Sequence, residues 1–141
     1  MNSITVKSLR LESLLGDRYP EASFHDSEIE SLSVDFESRT AQMAFIVPIG
    51  VEGRKLVFRR GVLQFSGLHS FSAENPKTLL GVESDRLWVT WDGALPDPAL
   101  KAAPEVPDGL PATAFCHAFF ISSTNSYIVV AAEEAWFAWK D

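Results

Sequence analysis

From Ile29 onward the spacing of apolar residues becomes two, and that change constrains this chain more than any other feature. Leu32, Val34 and Phe36 alternate with Ser31, Ser33, Asp35 and Glu37. Successive side chains of a β-strand point to opposite faces, so the alternation predicts a strand with one buried and one wet face. Glu37 to Thr40 can turn the chain, and Ala41, Met43, Phe45, Val47 and Ile49 then repeat the pattern in mirror image, which predicts a hairpin. A third strand is expected from Arg54. There Leu56 and Phe58 share one parity while Leu63 and Phe65 share the other, and the switch at Arg60-Gly61 predicts a bulge that re-aims the strand.

The flanks of this region read differently. Residues 4–15 are expected to form a short helix, with Ser3 as its cap, Val6, Leu11, Leu14 and Leu15 on one stripe, and Gly16 just past its end. Leu87, Val89 and Trp91 alternate with Arg86, Trp88 and Thr90 in a fourth strand. Residues 93–112 hold five of the eight prolines, and their apolar residues follow no period. That predicts an irregular, mobile surface connection or a lid. Phe115 to Ile121 is apolar on both faces, as for a strand covered on both sides. A turn around Asn125, a strand over Tyr127 to Ala131, and a final segment 131–140 that periodicity leaves open between strand and helix complete the chain. The fold class is α+β, mainly β: a short N-terminal helix followed by a six- to seven-stranded, mostly antiparallel sheet in one domain over residues 1–141.

A chain of 141 residues buries roughly two-thirds of the surface its unfolded form exposes, so it needs neither disulfide nor metal to fold. Its one cysteine, Cys116, lies among apolar neighbours and reads as a buried thiol. The start shows no secretory pattern, and no stretch has the length of a bilayer span, so a cytoplasmic protein is expected. The net charge of −7 is uneven: residues 71–141 hold 4 Lys/Arg against 10 Asp/Glu. Such a surface repels nucleic acid and anionic membranes and can steer a basic protein partner.

Three runs carry a resemblance: Phe24-His25-Asp26-Ser27-Glu28-Ile29, Arg59-Arg60-Gly61-Val62-Leu63-Gln64-Phe65-Ser66-Gly67-Leu68, and Asn125-Ser126-Tyr127-Ile128-Val129-Val130-Ala131-Ala132. Together they resemble a family of small bacterial β-rich proteins of unknown function. The His-Asp entrance to the first strand is similar to that of some toxin-immunity proteins. Neither resemblance supplies a catalytic residue.

Candidate chemistry is sparse. His25 and Asp26 are the first candidates, but as strand neighbours they would face apart, and helical His-Asp hydrolases need more ligands on several helices. A turn in which Asp26 accepts backbone hydrogen bonds accounts for the pair. A zinc site from His25, His69 and His117, with or without Cys116, lacks any close ligand pair, so no metal or cofactor is expected. No nucleophile elbow and no phosphate-cradling glycine pattern occurs. Arg54, Lys55, Arg59 and Arg60 form a basic cluster that suits a guarded strand edge. Trp88 and Trp91, like Trp136 and Trp139, are spaced to face opposite sides of a strand, and Trp88, Trp91 and Trp136 are candidate contacts for a partner. The expected function is a non-catalytic binding or protein-interaction module, immunity-type in one version, with room for a homo-oligomer. The alternative is a small hydrolytic or metal-dependent enzyme using His25, Asp26 and His117.

Overall fold

In the computed structural model, residues 11–73, 87–100 and 104–140 are described in full and residues 2–4 by their backbone. Among the described residues the alternation of the sequence becomes nine strands: β1 Asn2–Ile4, β2 Glu28–Asp35, β3 Thr40–Glu52, β4 Lys55–Ser66, β5 Ser70–Ala73, β6 Leu87–Ala94, β7 Phe115–Ile121, β8 Ser126–Ala132 and β9 Glu134–Trp139. They form one antiparallel sheet in the order β1-β9-β4-β3-β2-β6-β7-β8-β5. This is mainly β, as the pattern predicts, with more strands than the expected six or seven.

Among the described residues helix is nearly absent. Ile4 belongs to β1, which pairs with β9, and Leu11–Leu15 forms a single 3-10 turn. The helix expected over residues 4–15 is therefore corrected at both ends, and residues 5–10 lie outside the described residues. Leu11, Leu14 and Leu15 are buried all the same. Short 3-10 geometry suffices to present three leucines on one side.

The sheet closes on itself. Only Glu133 separates β8 from β9, and only Gly67 to His69 separate β4 from β5. These two bent strands pair with each other from Gly61 opposite Trp139 to Ala73 opposite Ile128. Two three-stranded meanders, β2-β3-β4 and β6-β7-β8, are joined along that seam on one side and by β2 against β6 on the other. Closure removes most free edges and encloses a core of phenylalanines. Phe24, just before β2, plugs this core with its ring 5.0 Å from Phe45 and 5.9 Å from both Phe119 and Phe137.

Two parity arguments need correction. β4 pairs with β3 without a break through Arg60 and Gly61, and the irregularity lies on β3 between Pro48 and Gly50. Gly61 is glycine because the Phe137 ring lies on it: a Cβ there would sit 2.2 Å from Cζ. Leu56 and Phe58 thus stay on the outer face while Leu63 and Phe65 stay inside. In β6 the pairing shifts between Val89 and Trp91, so Thr90 is the extra residue of a bulge. The bulge puts Trp91 on the same outer face as Trp88, not the opposite one. Phe36 also leaves the strand, sitting 84% exposed in the turn after β2.

The proline-rich segment is less irregular than its sequence. Leu95, Leu100, Val106 and Leu110 pack with Trp91 and Tyr127 over Cys116, Ala118, Val129 and Ala131. It forms a strap over the outer face of β7 and β8, which explains why β7 is apolar on both faces. The expectation that its apolar residues follow no burial pattern fails because they contact a sheet surface rather than one another in sequence; residues 101–103 lie outside the described residues. The segment 131–140 is strand, not helix.

Candidate functional site

The Phe24-His25-Asp26-Ser27 run is a corner before it is a site. Phe24 goes into the core, and the buried Ser27 hydroxyl donates to the Phe24 carbonyl. The Asp26 N–H donates to Val89 O at 2.7 Å, and the Val89 N–H donates to Ser27 O at 2.8 Å, which ties β2 to β6. Asp26 has φ 68°, a left-handed conformation that aspartate tolerates better than most residues. Its carboxylate caps no backbone N–H, contrary to the expected turn chemistry, and is instead exposed 3.7 Å from His25 Nε2. The pair sits in a turn, so both side chains do lie together, but in solvent.

His117 is elsewhere. It lies on β7 opposite Ala94, the last residue of β6, whereas Asp26 is tied to Val89 near the start of β6. Its ring packs 5.0 Å from Phe119, and its Nε2 lies 2.8 Å from Asp92 Oδ2. The two side chains are 6% and 7% exposed. This buried pair opens on a pocket of about 410 Å³ at the mouth of the barrel, whose wall also includes Glu12, Trp91 and Asp97. Asp92 was not a sequence candidate: its inward direction depends on the Thr90 bulge, which alternation alone does not show.

The third histidine belongs to a clasp. His69 Nε2 lies 3.2 Å from Glu133 Oε2, Arg39 Nη2 lies 3.2 Å from His69 Nδ1, and Thr113 Oγ1 donates to Glu133 Oε1 at 2.7 Å. The Thr113 hydroxyl first, and then His69, hold the Glu133 carboxyl below its ordinary value. Both ring nitrogens of His69 are thus engaged in fastening the strap and the β2–β3 turn to the corner between β8 and β9. Among the described residues no group of three or more His, Cys, Asp and Glu can hold a metal ion. Cys116 faces the strap, away from His117, and burial pushes its thiol up to about 11. A thiol so disfavoured as thiolate is a poor nucleophile.

The tryptophans do not converge. Trp136 lies on the outer face beside Gln64, and Trp91 packs under the strap with its ring 6.3 Å from Tyr127. Trp139 donates from Nε1 to Leu15 O at 3.2 Å. Trp88 joins a different surface. Its ring is 6.4 Å from Phe58, on the part of β4 that extends past the end of β9. Here β3 and β4 continue as a two-stranded arm ending at Gly53, and its outer face leaves Val51 63%, Leu56 58% and Phe58 38% exposed. Arg54 and Lys55 flank its tip, Arg60 pairs with Glu30 at 3.0 Å, and Arg59 turns inward over the Tyr19 ring.

Among the described residues no helix is long and apolar enough to cross a membrane. Comparison with protein-family models, with curated proteins and with solved structures finds no match for this chain.

Proposed function

We propose that this chain is a non-catalytic protein-binding module of the immunity type, and that it docks through the outer face of the β3–β4 arm. The observation that carries the reading is the exposure of Val51, Leu56 and Phe58 together on one face, outside the barrel, where they add nothing to the core. Burying one large apolar side chain is worth about 1.5–3 kcal/mol, which a folded monomer would be expected to collect unless a partner does so. Trp88 extends the same face, and aromatic anchors dominate binding energy. A net charge of −7 disfavours a second copy of the chain and speeds the overall approach of a basic partner, while Arg54 and Lys55 at the tip of the arm call for acidic side chains at the rim of that partner's docking surface.

The test is the double substitution Leu56→Glu and Phe58→Glu, both on the exposed face and both expected to leave the melting temperature nearly unchanged. Wild-type chain immobilised on resin is used to capture its partner from native extract, and the captured protein is then produced alone and titrated against both forms. Binding by wild type at one-to-one stoichiometry, lost in the double variant, supports the reading. Equal affinity of the two forms, or a wild-type chain that sediments as a dimer dissociated by the same substitutions, refutes it.

A further inference from the structure

We propose that the groove across the outer face of β2, β3, β4 and β9 is a binding site for a neutral saccharide. The site does not involve the arm and stands or falls without it. The register builds it: Ser33 lies opposite Gln42, Gln42 opposite Gln64, and Gln64 opposite Trp136, so one polar row crosses these strands. Residues directly opposite each other project from the same face. The neighbours along each strand, Met43, Leu63 and Phe137, are buried in the core, so the row stands on the outer face. One row further along, Asp35 lies opposite Thr40 on the same face. Together these side chains line a hollow of about 440 Å³, within the range of small-molecule sites.

What the groove offers decides what it can hold. Trp136, half-buried, gives an apolar ring with one N–H donor at its edge. The amides of Gln64 and Gln42 follow at intervals of about 4.8 Å, one strand spacing each, and each brings two donors and an acceptor. Neither amide has a hydrogen-bond partner among the described residues, although Gln64 is half-buried. An amide withdrawn from water without a partner is unfavourable until a ligand supplies one. Ser33 adds a hydroxyl. Asp35, the one charged side chain of the lining among the described residues, takes the Glu37 and Ser38 N–H groups on Oδ1 at 3.0 and 3.2 Å, which leaves Oδ2 to accept. A ligand matched to this set is uncharged, carries hydroxyls that both donate and accept, and has an apolar face for the indole. A pyranose ring has that character, with C–H groups gathered on one face and hydroxyls around the edge. An anion would meet the Asp35 carboxylate, and a purely apolar ligand would leave the amides unpaired. Trp136 and Gln42 are two strand spacings apart, about 10 Å, so a ring on the indole sets the next sugar over the amides.

The experiment titrates maltotriose, cellotriose and mannotriose into the full chain and reads the Trp136 indole N–H resonance, assigned with Trp136→Phe. Trigalacturonate is the anionic control, and 9-methyladenine is a flat ring that stacks and pairs with amides but lacks the C–H face. At least one neutral trisaccharide should saturate the shift at about millimolar concentration, and neither control should. The double variant Gln42→Ala, Gln64→Ala removes side chains that bond to nothing else among the described residues. It should keep the wild-type melt and bind at least about tenfold more weakly. Methyl glucoside and methyl mannoside distinguish the source of the sugar. Weaker binding than the matching trisaccharide supports a glycan chain as the ligand, and equal binding supports a free sugar. The absence of saturation by all the trisaccharides, an equal response to trigalacturonate or 9-methyladenine, or unchanged affinity in the double variant overturns the proposal.

Discussion

Replacing Gly61 by alanine tests the register of the arm and barrel together. An alanine Cβ at this position would lie 2.2 Å from Phe137 Cζ and 2.7 Å from Cε1, far inside contact distance. The ring has nowhere to go: Phe137 is 2% exposed, with Phe24 at 5.9 Å and Trp139 at 4.8 Å. Overpacking of this kind costs about 1–3 kcal/mol. Against it stands the gain of replacing glycine in a strand, about 0.5–1 kcal/mol. The net expectation is a loss of about 1 kcal/mol, or roughly 3 °C in melting temperature for a domain of this length. The same substitution in a Phe137→Leu background should be neutral or stabilising, since the clash has gone while the backbone gain remains. Urea and thermal melts of the four proteins give the coupling directly. Equal losses in both backgrounds would show that Gly61 is needed for its backbone, as a bulge would require, and would refute the packing account.

Three further outcomes follow from the same contacts. Cys116, buried beneath the strap and raised to about 11, should resist a thiol reagent at pH 8 in the native protein and react once urea unfolds it; rapid stoichiometric labelling of the folded chain would place the strap elsewhere. Glu133 has its folded pKa lowered, so the stability it contributes is present above the unfolded carboxylate value and is lost as pH falls through the folded one. Glu133→Gln should therefore melt below wild type at neutral pH, with the gap closing in acid, and a gap constant from pH 7 to pH 3 would contradict this. Asp26→Ala should cost about 1–2 kcal/mol because of its positive φ, whereas Asp26→Gly should cost little; equal losses in urea would mean that the carboxylate itself matters.

The hairpin of β2 and β3, the doubly covered β7 and the turn at Asn125 were legible because one-residue alternation is a direct image of a pleated strand. Other features were not. Strands β1 and β5, of three and four residues, are too short to show a period, and both form through partners far along the chain. The Thr90 bulge shifts every later side chain of β6 by one, and with it Asp92, so the one buried acid–histidine pair was invisible at the level of residue types. The strap failed to declare itself for a related reason. Its apolar residues match a sheet face that exists only after β7 and β8 have paired.

The arm shows why its inverted pattern is not a mistake of register. Along residues 55–59 the apolar Leu56 and Phe58 face out while Arg59 faces in, its guanidinium 5.7 Å from the Tyr19 ring. Sliding β4 by one residue would reverse this and put both apolar side chains on the inner face. Such a slip would also move Gly61 from beneath Phe137, where no other residue fits, and would break the bond from the Lys140 N–H to Arg60 O at 2.9 Å. The inner half of β4, with Leu63 and Phe65 fully buried, would turn its core residues to solvent at the same time. The barrel thus fixes the register, and the arm inherits an outward apolar face that its own interactions do not favour. A local preference overridden in this way persists where something outside the fold uses it. That override is what the proposed docking of a partner on the arm would explain.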